Sequence, residues 1–119
     1  MTASILLVDD SRASRMLCSS VIRSLRPGVH ILEAGDGNEA LALLAIQAPQ
    51  LVVIDMNMPG MSGLELAEKL RSSHPEIRLA LLTANVQEAI QRRAAELGVH
   101  FFRKPITEPV VASILGLLD

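Results

Sequence analysis

Short apolar runs in this sequence end repeatedly in a residue that could do chemistry. These terminal residues are three carboxylates, one hydroxyl and one ammonium: Asp9, Asp10, Asp55, Thr83 and Lys104. Three carboxylates close together repel one another and raise at least one pKa, unless a hard divalent cation such as Mg²⁺ neutralises them. The hydroxyl and the ammonium suit a phosphoryl group, since one donates a hydrogen bond and the other supplies positive charge. A carboxylate that accepts a phosphoryl group becomes an acyl phosphate.

These residues come together if the runs before them are parallel strands of one sheet, because ligands bind beyond the carboxyl ends of such strands. Leu51–Ile54 is short and rich in β-branched residues, which is typical of a strand buried on both faces. Ile5–Val8 and Leu79–Leu82 have the same apolar character. His30–Ala34 and His100–Arg103 contain charged residues, which is typical of edge strands.

Helical patterns separate the five runs, and prolines or glycines end most of them. This alternation predicts an α/β fold, with a doubly wound parallel sheet of five strands joined by right-handed crossovers. Interior strands one, three and four with edge strands two and five fit the order 2-1-3-4-5, which is the flavodoxin-like (βα)5 arrangement. We expect residues 1–119 to form a single domain of this kind.

The first and fourth helices carry specific predictions about their faces. The first follows Ser11, a suitable N-cap, and its apolar spacing predicts five inward residues: Ala13, Met16, Leu17, Val21 and Leu25. Four arginines fall opposite that face and are interpreted as a solvated stripe: Arg12, Arg15, Arg23 and Arg26. The fourth helix is unusually polar, and its predicted inward residues are Val86, Ile90, Ala94 and Leu97.

Composition excludes several classes of protein. Half of the 119 residues are apolar, yet the chain has two Phe and no Trp or Tyr, so its core must be aliphatic. The net charge of −2 argues against a nucleic-acid or membrane-surface protein. A single cysteine, Cys18, fits a reducing compartment. Because neither a signal-peptide pattern nor a membrane-spanning apolar run is present, we expect a cytoplasmic domain.

Five separated motifs resemble one known family over the whole chain. They are Asp9-Asp10, Asp55, the turn Met58-Pro59-Gly60 with Gly63, Thr83-Ala84 and Lys104-Pro105. In order and spacing they are similar to the receiver domain of two-component response regulators. The resemblance implies that Asp55 accepts a phosphoryl group from the phosphohistidine of a sensor histidine kinase or a histidine phosphotransfer protein.

The resemblance also implies a role for each further site residue. Asp10 and Asp55 would ligate Mg²⁺ directly, Asn57 would add its backbone carbonyl, and Asp9 would act through a metal-bound water. Lys104 would pair with Asp55 and then with the phosphoryl oxygens, while Thr83 turns to the phosphate. Ala84 is small enough to leave the path of Thr83 to the phosphate open, and Phe101 would couple to Thr83 as a switch residue. Asn57 and Asn85 would tune the lifetime of the phosphoryl group. The peptide bond before Pro105 would be cis.

The implied mechanism is a switch with self-catalysed phosphotransfer rather than a metabolic enzyme. Phosphorylation would change the surface of the fourth helix, fifth strand and fifth helix, and loss of the phosphate would reset it. The partner would be a separate output protein or a C-terminal output domain, with a phosphorylation-dependent dimer as a further expectation. Direct contact with nucleic acid or membrane is not expected.

Two other classes of protein stay open as alternatives. A pseudo-receiver would bind partners without phosphate, and the intact acid cluster argues against it. A phosphatase of the haloacid-dehalogenase type also uses a strand-end aspartate, but it places a second Asp two residues later, where this chain has Asn57. Each acidic motif alone could simply cap a helix; jointly, the matching Thr83 and Lys104 motifs favour the receiver.

Overall fold

The computed structural model describes residues 2–119, in which strands and helices alternate along the chain. The strands are β1 (Ser4–Val8), β2 (His30–Ala34), β3 (Leu51–Ile54), β4 (Arg78–Thr83) and β5 (His100–Arg103). The helices are α1 (Arg12–Leu25), α2 (Gly37–Ile46), α3 (Gly63–Ser73), α4 (Glu88–Glu96) and α5 (Glu108–Leu115), with a final 3₁₀ turn at Gly116–Leu118.

The strands form one parallel sheet in the order β2-β1-β3-β4-β5, so the predicted order and the two predicted edges are confirmed. In the register, Val8 lies beside Ile54, and Ile54 lies beside Leu81. Strands β1 and β3 therefore end at the same level, and β4 continues two residues further, to Thr83. The residues that follow them emerge at one edge of the sheet, as parallel strands require.

The core is aliphatic and lies in two layers, one on each face of the sheet. Helices α2, α3 and α4 cover one face, where Leu66 and Leu70 of α3 are fully buried. Helices α1 and α5 cover the other, where Ile22 and Ile114 are 1% exposed. Along β1, β3 and β4, successive side chains pack alternately into the two layers. Both faces of these strands are therefore buried, which is why the strands are apolar throughout.

The predicted inward face of α1 is wrong in its N-terminal half, whereas the last two of the five predicted residues pack partly buried against the core as predicted. Met16 and Leu17 are 59% and 50% exposed, whereas Cys18 and Ile22 are the apolar residues of this helix that are buried. Apolar residues occupy more than one stripe of this helix, so spacing alone did not determine its rotation. The helix places Cys18 and Ile22 against the sheet.

Side-chain caps hold the start of four of the five helices. Asp36 caps α2, and Ser62 forms a reciprocal capping box with Glu65 at the start of α3. Ser11 and Thr107 cap α1 and α5. At the start of α4, Gln87 provides no side-chain hydrogen bond to the helix amides. Within residues 2–119, no helix is both long and apolar enough to cross a bilayer.

Candidate functional site

Three carboxylates meet beyond the ends of β1 and β3. Asp9, Asp10 and Asp55 each place one carboxylate oxygen within 4.8 Å of the others. Asp9 and Asp55 are nearly buried, at 8% and 9% exposure, and Asp10 is exposed. The amide of Asp55 donates to the carbonyl of Val8 at 2.9 Å, which continues the β1–β3 ladder and sets the two strand ends side by side. The sequence-predicted acidic residues therefore form one cluster.

Lys104 reaches the same cluster from the end of β5. Its Nζ donates to Oδ2 of Asp9 at 3.0 Å and lies 3.8 Å from Oδ1 of Asp55. The resemblance implied that Asp55 is the first partner of Lys104, but the closer contact is with Asp9, because the ammonium lies between the two carboxylates. The Lys104 amide donates to the Thr83 carbonyl at 3.0 Å, and the Lys104–Pro105 peptide bond is cis.

The environment of Asp55 disfavours its negative charge. Burial is the largest influence and raises the pKa of Asp55 above its ordinary value of 3.8. The positive charge of Lys104 opposes that rise, and the negative charge of Asp9 adds to it. Hydrogen bonding from Thr83 and from the Met56 amide also lowers the pKa, without cancelling the effect of burial. Extra positive charge beside Asp55 would therefore stabilise its ionised form.

Gly63 lets the start of α3 approach the end of β3. Its amide donates to the carbonyl of Met56 at 2.9 Å. A Cβ at this position would lie 2.3 Å from the carbonyl oxygen of Asp55 and 2.8 Å from Cα of Met56. Since both contacts are with backbone, only glycine fits. The preceding turn uses Gly60 at φ +76°, a left-handed conformation that glycine adopts without strain.

The other side of the site carries the hydroxyl and two amides. Thr83 is 1% exposed, and its Oγ1 accepts a hydrogen bond from the Asn85 amide at 3.1 Å. The Asn85 side chain donates Nδ2 to Oδ1 of Asn57 at 3.3 Å, which bridges the β3–α3 and β4–α4 loops. Ala84 is exposed, and Phe101 is half-buried against the apolar layer of α2, α3 and α4. All the sequence-predicted residues thus lie around one edge of the sheet.

The donor set of the acidic cluster suits a hard divalent cation. Carboxylate oxygens are the ligands that Mg²⁺ and Mn²⁺ prefer, whereas thiolate and imidazole favour softer metals. Within residues 2–119 this is the one group of three or more acidic, His or Cys side chains close enough to hold a metal. Cys18 lies beneath it, but burial raises the pKa of the Cys18 thiol to about 11, so it stays protonated. The acidic pocket could therefore bind a metal through oxygen alone.

Arg15 is a site residue that the sequence interpretation missed. Its side chain is 16% exposed and lines a small cavity beneath the site together with Asp9 and Asp55. The interpretation of Arg15 as part of a solvated stripe was wrong. The first turn of α1 follows directly after the end of β1, so a long side chain in this turn can reach back to the site. The position of Arg15 in the first turn after the Ser11 cap was therefore the signal in the sequence.

Comparison with known proteins agrees with this geometry. The family model of the response regulator receiver domain matches residues 5–115. The chain is 38% identical over 118 residues to the probable transcriptional regulatory protein TcrX of Mycobacterium tuberculosis, covering 96% of this chain and 49% of TcrX. It is 32% identical over 106 residues to sporulation initiation phosphotransferase F of Bacillus subtilis, covering 88% of this chain and 84% of that protein.

The fold has close counterparts among solved structures. The chemotaxis response regulator CheY4 of Vibrio cholerae superposes with a TM-score of 0.87 at 25% identity, over 100% of both chains. The chain spans about half the length of curated relatives such as TcrX, at 49%. The match over residues 5–115 extends from β1 to the end of α5 and includes every strand end of the site. The chain belongs to the response regulator receiver domain family.

Proposed function

We propose that this chain is a phospho-accepting signalling switch, in which Asp55 takes a phosphoryl group from the phosphohistidine of a histidine kinase or histidine phosphotransfer protein. The observation that carries the proposal is the surroundings of one carboxylate. Asp55 lies within 4.8 Å of two further carboxylates, and the Lys104 ammonium is 3.8 Å away. Thr83, at the end of the neighbouring strand, supplies a buried hydroxyl.

In the transfer step, an oxygen of ionised Asp55 forms a bond to phosphorus as the bond from phosphorus to the donor imidazole breaks. The electron pair of that bond leaves with the imidazole, and Asp55 becomes an acyl phosphate. Lys104 stabilises charge on the transferring oxygens, and the Thr83 hydroxyl donates a hydrogen bond to one of them. Mg²⁺, when bound by Asp10, Asp55 and the Asn57 carbonyl, with Asp9 acting through water, would supply further positive charge there.

The response to phosphorylation passes through the β4–α4 loop. Thr83 donates to the phosphoryl group, and its movement carries the attached Asn85 amide, since the two are bonded at 3.1 Å. Ala84 is small enough to leave this path open, and Phe101 of β5 repacks as the loop moves. The altered surface is that of α4, β5 and α5, where an output protein or output domain would bind.

Reset occurs when water attacks the phosphorus of the acyl phosphate and Asp55 leaves as a carboxylate. Asn57 and Asn85 bear on its rate, because their side chains meet at 3.3 Å between the two loops that flank Asp55. The chemistry is performed on the protein itself, so a substrate turned over in solution is not expected.

The partners are a phosphohistidine donor and an output element. In this proposal residues 1–119 form a single receiver domain, which acts on a separate protein or through an output domain. Its net charge of −2 gives it no electrostatic preference for nucleic acid. Phosphorylation promotes dimer formation through the altered α4–β5–α5 surface.

Intact-mass measurement with acetyl phosphate tests the proposal. The wild-type protein should gain the mass of one phosphoryl group when Mg²⁺ is present and lose the adduct when Mg²⁺ is chelated beforehand. Asp55→Asn should gain nothing, while Asp36→Asn, altered at a helix cap outside the cluster, should be phosphorylated normally. The proposal fails if no Mg²⁺-dependent adduct forms or if the adduct persists in Asp55→Asn.

A further inference from the structure

Arg15 links three elements at the edge of the acidic cluster. From α1 its Nε donates to Oε1 of Glu33 on β2 at 3.0 Å. Its Nη1 donates to the backbone carbonyl of Asp9, at the end of β1. The guanidinium also lies over the turn after β2, where a Cβ on Gly35 would be 3.6 Å from Nη1. A side chain held at both ends of its planar fork in this way is fixed in one conformation.

Asp9 is held at each of its polar groups, and Arg15 supplies one of these contacts. The Asp9 amide donates to the Ala34 carbonyl at 3.1 Å. One carboxylate oxygen accepts from the Ser11 amide at 2.9 Å and the other from Lys104 at 3.0 Å. The carbonyl accepts from Arg15.

Asp10 differs from its neighbour because its side chain is exposed at the mouth of the cluster. Its direction is set by the backbone before it. The Asp9 carbonyl belongs to the planar peptide unit that leads into Cα of Asp10. A hydrogen bond that fixes this carbonyl therefore fixes the plane from which the Asp10 side chain departs.

We propose that Arg15 is a positioning residue for the metal ligand Asp10. By holding the Asp9 carbonyl, it orients the Asp9–Asp10 peptide so that the Asp10 carboxylate faces Asp55, and Glu33 keeps the guanidinium in place. This inference rests on the proposed function, because the ligand concerned is the divalent cation. A residue of this kind, which touches no metal, commonly changes metal affinity tenfold or more when it is removed.

The direction in which the affinity for a divalent cation changes when Arg15 is replaced distinguishes a positioning role from a purely electrostatic one. Arg15 places a positive charge at the edge of the acidic cluster, where it bonds the Asp9 carbonyl, so its charge repels a divalent cation. Removing the charge alone would tighten cation binding. Removing a positioning contact weakens binding, because the two carboxylates are then less well aligned.

The test measures Mn²⁺ binding to the metal-stripped protein, using the electron paramagnetic resonance signal of Mn²⁺ that remains in solution. Mn²⁺ shares the oxygen preference of Mg²⁺ and gives a signal without any phosphodonor. Arg15→Gln should bind Mn²⁺ at least about tenfold more weakly than wild type. Arg12→Gln is the matched control, because it removes the same charge from an exposed position in the same helical turn, and its affinity should equal or exceed that of wild type.

A second variant keeps the charge. Arg15→Lys cannot bond Asp9 and Glu33 through one planar fork, so it should also bind Mn²⁺ more weakly than wild type, even if Arg15→Gln proves unable to fold. Unchanged or tighter binding in the folded Arg15 variants would overturn the inference, as would an equal loss in Arg12→Gln. If wild type itself bound no Mn²⁺, the metal site of the proposed function would be the part that failed.

Discussion

The two sides of the site are built with different rigidity. We call Asp9, Asp10, Asp55, Arg15 and Gly63 the acidic side. There the two aspartates that end β1 and β3 are nearly buried and tied to neighbouring strands by backbone hydrogen bonds. The hydroxyl side comprises Thr83, Asn85 and the start of α4, where Ala84 and Val86 are exposed and no side chain caps the helix.

The far end of α4 is tied to other elements by side-chain hydrogen bonds, whereas the side-chain hydrogen bonds at its start are local. Arg71 of α3 donates to the carbonyls of Leu97 and Gly98, just after α4, at 2.9 and 3.1 Å. It also donates to the carbonyls of Pro75 and Ile77, in the loop before β4, at 3.1 and 3.0 Å. Any rearrangement of α4 should therefore occur at its N-terminal end, beside Thr83. Under the proposed function, the rigid side would bind charge and the more loosely held side would respond to it.

The largest effect is expected from breaking the acidic side at Gly63. Gly63→Ala places a Cβ against the backbone of Asp55 and Met56, so α3 must move away from β3. We expect the free energy of unfolding to fall by about 3 kcal/mol, at the upper end of overpacking effects, together with loss of phosphorylation. Urea denaturation followed by circular dichroism measures the first.

Gly116→Ala is the matched control for that variant. Gly116 has an ordinary helical backbone, at φ −57°, and a Cβ there meets nothing within 4 Å. Its stability should stay level or rise by up to about 1 kcal/mol. If both variants lost the same free energy of unfolding, the close approach of α3 to β3 at Gly63 could not be the cause of the loss.

The second effect tests the anchor of α4. Arg71→Met removes four hydrogen bonds to carbonyls while keeping an apolar stem, and should lower the free energy of unfolding by about 2 kcal/mol. Amide hydrogen exchange should accelerate most around Leu97 and Gly98. Arg92→Met, which loses only an exposed contact with Glu88, should change stability by less than about 0.5 kcal/mol. Faster exchange at the start of α4 alone would contradict the proposed anchor.

The third prediction concerns pH and Asp55. Because burial raises the pKa of Asp55 in the folded chain, the folded protein loses stability as pH rises from 3.8, the ordinary value, through the raised pKa. Asp55→Asn cannot ionise, so without divalent metal its melting temperature should exceed that of wild type at neutral pH. The difference should shrink as pH falls through the raised pKa.

Asp119→Asn provides a control of opposite sign. A hydrogen bond from Arg26 lowers the pKa of Asp119, so this carboxylate stabilises the fold above its ordinary pKa and loses that contribution as pH falls. The pair is exposed, so its effect should be small, and at neutral pH the variant should melt at or below the wild-type temperature. A higher melting temperature in both variants would refute a specific burial effect at Asp55.

The smallest effect on stability is expected at the bridge between the two sides. Asn85→Ala breaks the 3.3 Å hydrogen bond to Asn57, which lies at the surface, and should change stability by less than about 0.5 kcal/mol. We still expect faster loss of the phosphoryl group if, as proposed, the bridging side chains restrict the approach of water to Asp55. Intact mass followed over time after removal of acetyl phosphate measures this rate. An unchanged rate would exclude the bridge as a timer.

The strands and their ends were predictable from the sequence because each carries a local signal. Leu51–Ile54 is apolar throughout and ends at Asp55, and the charged runs at β2 and β5 marked the edges. The side-by-side placement of Asp9 and Asp55 then follows from parallel pairing together with the predicted order, which makes β1 and β3 neighbours.

Contacts that depend on helix rotation were not predictable in this way. The periodicity of α1 placed Met16 and Leu17 inward, yet both are exposed, and Arg15 turns back to the strand ends. The contacts of Arg71 with two loops, and the preference of Lys104 for Asp9 over Asp55, arise from tertiary packing. Sequence spacing carries no signal for them.

Hydrogen exchange with and without acetyl phosphate tests the central claim most directly, namely that phosphorylation at Asp55 acts on the hydroxyl side. Peptides covering residues 9–15 and 84–91 would be compared in Mg²⁺ alone and after phosphorylation, with Asp55→Asn as the control. We predict altered exchange in residues 84–91, little change in residues 9–15, and neither change in Asp55→Asn. Equal changes in both segments, or none despite a stoichiometric adduct, would contradict the account.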